Sequence, residues 1–151
     1  AVAEIVVQQS LPQAEARSVH LSLEADTPLP AVLAEADQLV RVFLNLLDNA
    51  VKFSRAGDQV VLSLRRATPG VRCSVRDSGP GIPAHHLPYV TRRFYRAAAP
   101  DQAGSGLGLA LAEEILRRHR SALAIDSRTE GETGTCVSFV LPAAAGGEVA
   151  L

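Results

Sequence analysis

The chain has no methionine and no tryptophan, only two cysteines, and just 4% aromatic residues. Cys73 and Cys136 lack the CxxC spacing of a metal or redox site and are too few for a disulfide framework, so a reducing compartment is the simplest reading. No apolar run reaches the roughly 18 residues that suggest a membrane span. The first residues do not combine a basic flank with a continuous apolar stretch, as a secretory signal does. A net charge of −1 gives no global field for nucleic acid or an anionic membrane, so any phosphate ligand must be held by local geometry. Lysine is nearly absent as well: of fifteen basic residues fourteen are arginine, and the only lysine is Lys52. What is present, 47% hydrophobic and 21% charged residues over 151 positions, suits one domain with a full core. The chain opens on alanine in the middle of a helical pattern, and we read it as a piece of something longer.

Residues 1–17 carry a moderate amphipathic helical pattern that Pro12 breaks or kinks. His20 to Glu24 alternates as a strand, the Thr27–Pro30 stretch reads as a turn, and Ala31–Glu35 as a second short strand. Asp37 is placed to N-cap a long helix running to about Phe53. Val60, Leu62 and Leu64 alternate with polar neighbours, as do Val71, Cys73 and Val75, which predicts a hairpin closed near Gly70. From Asp77 to Gly104 glycine, proline, histidine and arginine dominate, and loops of that length usually carry function. A helix follows from about Gly106 to His119, with Arg117, Arg118 and His119 complementing its negative C-terminal end. Strands near Ala122–Ser127 and Thr135–Leu141 close the chain, and residues 143–151 read as a flexible tail. Together these elements predict an α/β two-layer sandwich over 1–142, a mixed, mostly antiparallel sheet of about five strands packed on about three helices.

The 37–53 helix is apolar almost all round, as a buried helix would be. Yet Arg41, Asn45, Asp48, Asn49 and Lys52 recur at i, i+4, i+7, i+8 and i+11 and share one narrow stripe. Polar groups on a buried helix need a partner. A magnesium–triphosphate would supply one, since amide oxygens are hard donors and Lys52 carries the opposite charge. Taken alone, the stripe equally suits the solvated face of an ordinary surface helix. Asp77-Ser-Gly-Pro-Gly81-Ile82 follows a strand; Gly79 and Gly81 permit close backbone approach to a flat ligand, and Asp77 could accept a hydrogen bond from an exocyclic amine. It also reads as a plain tight turn with an Asp cap. Gly104-Ser105-Gly106-Leu107-Gly108 opens a helix, where backbone N–H groups and the dipole favour anions. It is neither a Walker loop nor a dinucleotide fingerprint.

The polar stripe, the DxGxG turn, Arg-Phe-Tyr-Arg at 93–96 and the GxGLGL helix start resemble, in order and spacing, the N, G1, F and G2 boxes of sensor histidine kinases. The resemblance covers nearly all of residues 1–142. It implies a Bergerat ATP-binding fold with a lid at about 83–105. It also implies that Mg²⁺ and ATP are the cofactors. On this resemblance Asn49 is the magnesium-binding asparagine with Asn45 beside it, Lys52 contacts phosphate, and Phe53 packs on adenine. Asp77 reads the adenine amino group, with Gly79, Gly81 and Ile82 shaping the pocket. Tyr95 and Arg96 belong to the lid, Arg96 approaching the γ-phosphate, and Gly104, Ser105, Gly106, Leu107 and Gly108 form its phosphate-side hinge.

Related ATPases usually place a glutamate base where Asn45 stands, and an amide cannot take a proton. That choice favours phosphoryl transfer to histidine over hydrolysis. Two departures stand out: Thr91 replaces a common phenylalanine, and the usual His-Gly-Gly reads His119-Arg120-Ser121. No H-[ED]-x-x-x-P motif is present, so none of His20, His85, His86 and His119 stands in a phosphoacceptor context. The implied partners are a separate dimerisation and phosphoacceptor domain and a response-regulator receiver domain. A monomeric isolated domain, a homodimeric full-length protein, and a cytoplasmic location in a membrane-bound sensor are further expectations. A regulatory module that binds ATP without phosphotransfer and a hydrolysing ATPase of the same superfamily are the alternatives.

Overall fold

Alternation and helical periodicity become three α-helices and five strands within residues 2–92, 108–144 and 149–151, the parts described by the computed structural model of the chain. The order is α1 (Val2–Ala16), β1 (His20–Ala25), α2 (Ala36–Phe53), β2 (Gln59–Arg66), β3 (Gly70–Asp77), α3 (Gly108–Arg118), β4 (Ala124–Arg128) and β5 (Gly134–Pro142). The sheet runs β1-β2-β3-β5-β4, with β1 parallel to β2 and every other pairing antiparallel. This is the two-layer α/β sandwich expected from the sequence.

Register explains the core. Leu62 lies opposite Val75 and Leu64 opposite Cys73, while Val75, Cys73 and Val71 face Val137, Phe139 and Leu141. A side-chain period of two then gathers all of these on one buried face. Against that face and the flanking α1 and α3, α2 buries Leu39, Val42, Phe43, Leu46, Leu47, Ala50 and Val51, and the Phe43 ring tilts against Phe139 with centroids 5.8 Å apart. The helix is therefore strongly two-sided rather than buried all round, and Arg41, Asn45, Asp48, Asn49 and Lys52 lie on its uncovered side.

Local differences from the expected pattern have local causes. Pro12 sits inside an unbroken α1, where burial of Val6, Ser10 and Ala14 outweighs one lost backbone hydrogen bond. Ala31–Glu35 is not a strand: only Val32 pairs, bridging both Ala143 and Val149, because Pro28 and Pro30 remove donors just before it. Glu35, not Asp37, occupies the N-cap of α2; Asp37 falls in the first turn, where its charge meets the positive helix end. Residues 149–151 lie against the fold. Val149 exchanges backbone hydrogen bonds with Val32 at 2.9 and 3.2 Å, and the carbonyls of Ala150 and Leu151 accept the N–H groups of Val2 and Ala3. Val149 and Leu151 are buried, so this end of the segment is held by apolar contact as well.

Helices α1 and α3 end alike. In α3 the Ser121 N–H reaches the Leu116 carbonyl at 2.8 Å and the Arg120 N–H reaches that of Arg117 at 3.1 Å, which is the Schellman arrangement. It places Arg120 at φ +57°, a left-handed position where glycine is usual. Arg120→Gly should raise stability by about 1 kcal/mol and Tm by roughly 3 °C in thermal denaturation. Leu47→Ala, which empties space under α2, should instead lose about 2–5 kcal/mol in a denaturant titration.

Candidate functional site

Seating the apolar side of α2 on the sheet turns its polar stripe outward. Asp48 and Lys52 pair at 3.0 Å, one turn apart, and Asp48 also accepts the Gln13 side-chain amide at 2.7 Å. These two groups thus satisfy each other without a ligand. Among the described residues the half-buried Asn45 and Asn49 side chains make no hydrogen bond. The C-terminal end of α2 is pinned by Arg17, which donates to the carbonyls of Val51 (3.3 Å) and Lys52 (2.9 Å), and by Ser54 Oγ, which donates to Ala50 at 2.7 Å.

Asp77 ends β3 and is 8% exposed. Burial pushes its carboxyl above the ordinary carboxylate range; hydrogen bonds from the backbone of Gly79 and Thr135 pull it back, and the nearby Asp58 charge raises it further. The Gly79 N–H reaches Asp77 Oδ1 at 3.0 Å, closing the turn. A Cβ on Gly79 would come 2.9 Å from the Phe53 carbonyl oxygen, so only glycine lets the turn touch the end of α2. Gly81 has φ +82°, and any side chain there would strike the Arg128 carbonyl. The Ile82 N–H donates to Ser127 Oγ at 2.7 Å; that hydroxyl lies 3.1 Å from the Gly134 carbonyl and 2.8 Å from Thr135 Oγ1. Arg55 crosses between elements, donating to the Ser78 carbonyl at 3.2 Å and to Thr133 Oγ1 at 3.4 Å.

Of the residues proposed from sequence, Phe53, Asp77 and Gly79 therefore meet where α2 and β3 end, and Gly81 and Ile82 carry the turn onto the end of β4. Asn45, Asn49 and Lys52 line the adjoining face of α2, and Gly108 is the first residue of α3, which packs on α2. Tyr95, Arg96, Gly104, Ser105, Gly106 and Leu107 lie outside the described residues. Sequence reasoning missed Arg55, Ser127 and Thr135. Thr135 stands opposite Asp77 across the β3–β5 ladder, a pairing legible only once the register is known.

Both cysteines are strand residues. Cys73 is wholly buried, its thiol pushed up to about 12 by desolvation, and Cys136 is a strand residue of β5. The His85 and His86 rings are adjacent, with centroids 4.1 Å apart, and no cluster of three or more metal-capable residues occurs among the described residues. His119 Nε2 accepts the Glu35 N–H at 3.2 Å while Nδ1 lies 2.8 Å from the Ile115 carbonyl, tying the end of α3 to the start of α2.

Residues 34–145 match the family described as histidine kinase-, DNA gyrase B- and HSP90-like ATPase. The swarming motility regulation sensor protein RssA of Serratia marcescens is 33% identical over 136 residues, covering 89% of this chain and 28% of RssA. The solved mycobacterial sensor histidine kinase MprB is 33% identical with a TM-score of 0.78, covering 93% of this chain and 95% of that one. Full-length ShkA in complex with AMPPNP is 27% identical with a TM-score of 0.81, covering 95% of this chain and 30% of that one. The chain thus spans about a third or less of the length of the curated relatives it matches.

The raised Asp77 carboxyl fixes the sign of a pH effect. Its folded value lies above the unfolded one, so ionisation disfavours the fold, and the penalty grows as pH rises through the unfolded value of about 4 toward the folded one. Without nucleotide, Asp77→Asn should therefore melt higher than the parent at pH 7, and the advantage should vanish below about pH 4. Melting curves across that range test this; a variant less stable than the parent at neutral pH would contradict it.

Proposed function

Because the chain belongs to the histidine kinase-, DNA gyrase B- and HSP90-like ATPase family, as a histidine kinase ATP-binding catalytic domain, we propose that it binds Mg–ATP where α2 meets the Asp77 turn and donates the γ-phosphate to a histidine on a separate domain. The observation that supports this most is Asp77 itself. It is a buried carboxylate, anchored by two backbone donors in the turn where Gly79 meets the Phe53 end of α2 and from which Gly81 and Ile82 lead to β4. A carboxylate has about four lone-pair sites, so Asp77 retains acceptor capacity for the exocyclic amine of adenine. Phe53 offers its ring to the base.

Toward the phosphates, Asn45 and Asn49 present amide oxygens that no other described residue engages and that suit Mg²⁺. When bound, the metal supplies charge neutralisation at the phosphate oxygens. Lys52 adds a cation from the same stripe, already oriented by Asp48. Tyr95, Arg96 and the glycine-rich stretch Gly104, Ser105, Gly106, Leu107 and Gly108 take the lid and phosphate-side roles implied by the family. Catalysis in this reading is positioning and charge neutralisation by Asn45, Lys52 and Arg96. Asn45 cannot serve as a general base, whereas a neutral imidazole already offers a lone pair. Histidine is therefore the natural acceptor and water a poor one.

The histidine sits, in this proposal, on the protein's own dimerisation and phosphoacceptor domain, and a response-regulator receiver domain accepts the phosphoryl group next. The whole protein would be a homodimeric sensor carrying this domain on the cytoplasmic side of a membrane. No helix among the described residues is long and apolar enough to cross one.

Calorimetry with Mg–ATP should give micromolar-range binding, weakened by about tenfold or more in Asp77→Asn and in Asn49→Ala. Affinity should fall as pH drops into the raised Asp77 range, because pairing with the adenine amine requires the ionised carboxylate. Mixed with a histidine-bearing helical phosphoacceptor domain, the chain should phosphorylate it; alone, it should turn over ATP negligibly. A folded parent that bound no adenine nucleotide would sink the site, and brisk hydrolysis without acceptor would sink the role given to Asn45.

A further inference from the structure

A second concavity, of about 1130 Å³, lies at the other end of α2, among Leu33, Glu35, Arg72, Arg118, Arg120 and Val140. Glu35 precedes the helix and Asn45 and Asn49 are ten and fourteen residues further on, so roughly 15–20 Å of helix separates Glu35 from the nucleotide residues. Nothing in the phosphotransfer reading uses it.

Its floor contains a gap in the sheet. An antiparallel residue directs its N–H and C=O to the same side. On β5 the Ala143 N–H goes to Pro69 beside β3, whereas Pro142 O accepts the Leu33 N–H and Val140 O accepts Ser121 Oγ. Even-numbered positions of β5 thus face away from β3. Gly134, Cys136 and Ser138 are matched there by β4, which begins only at Ala124, opposite Ser138. Val140 falls between β4 and Leu33. Its carbonyl is taken by Ser121, and among the described residues its N–H has no backbone partner.

The walls are cationic. Arg72, Arg118 and Arg120 face the groove against one carboxylate, Glu35, and Arg118 is already paired with Glu114 at 3.1 Å. Arg120 occupies a left-handed position that a glycine would fill without strain. Retaining a guanidinium there is a cost without return inside the domain, where the described residues offer it no ion pair. Leu33, 58% exposed, adds an apolar rim.

We propose that this groove docks an extended acidic polypeptide segment. A backbone carbonyl of that segment would take the Val140 N–H, its carboxylates would meet Arg72 and Arg120, and an apolar side chain would cover Leu33. The gap is one strand rung wide and the cations come from two elements, Arg72 from β3 and Arg118 and Arg120 from the end of α3, which suits a chain with a carboxylate on alternate residues.

The test is a titration of the ¹⁵N-labelled 151-residue chain with a short peptide alternating glutamate and valine, paralleled by fluorescence anisotropy. Saturable, salt-sensitive binding that moves the Val140 amide resonance is expected. Arg72→Glu with Arg120→Glu should weaken it by about tenfold or more, while Arg72→Lys with Arg120→Lys should keep it within a few fold. Melting curves and Mg–ATP affinity should be unchanged in both, which separates this proposal from the nucleotide reading. An unmoved Val140 amide, binding indifferent to charge reversal, equal binding of a lysine–valine peptide, or the same amide shift with inorganic phosphate alone would each overturn it.

Discussion

Seven apolar side chains of α2 are buried against the sheet and the flanking helices α1 and α3, and that single seating fixes the rotation of the helix about its axis. Successive residues are about 100° apart around a helix, so directing Leu46 and Leu47 inward turns Asn45 and Asp48 outward and sets Asn49 at the flank of the buried side. The core and the polar stripe are thus one constraint read from two sides. A slip of one residue in the seating would bury the amides and expose the leucines together. The desolvation penalty of such a slip and the lost apolar burial act in the same direction, which is why the stripe can be held so firmly by contacts that never touch it.

The other half of the site is held by a different economy. Asp77 is kept buried at the end of β3 although burial disfavours its charge, and its neighbours compensate only partly. Around it, Arg55, Ser127 and Thr135 connect the turn to the end of α2, to β4 and to β5. Residues that hold a backbone turn in one shape let a buried carboxylate face outward without the loop collapsing onto it. The fold therefore carries a stored cost at Asp77, and a group that hydrogen-bonds the ionised carboxylate relieves it.

Much of this was legible in the sequence because it depends on periodicity. The alternation of Val60, Leu62 and Leu64 with Val71, Cys73 and Val75 specified a hairpin, and the i, i+4, i+7 spacing from Arg41 specified a shared face. Asp77 and its glycines were legible because a turn between strand and loop needs those residue types. The hidden parts depend on long-range pairing. Val32 looks like a strand residue, yet it bridges two segments more than a hundred residues away. Ser127 and Thr135 gained their roles from strand register, and Val149 and Leu151 are too few to announce that they pack. The half-polar character of α2 was misjudged because apolar residues of all kinds outnumber the polar ones along the helix, although they do not surround it.

The hydrogen bonds from Val2 and Ala3 to the carbonyls of Ala150 and Leu151 have an architectural consequence. The two ends of this polypeptide lie side by side, so the domain behaves as a loop drawn out from a single point. Modules attached before and after it would approach from the same pole. Joining the ends through a short linker and reopening the chain in the exposed Arg55–Gly57 stretch gives a circular permutant that keeps every strand neighbour. The order of elements along the chain is thus less fundamental to this domain than their adjacency in space.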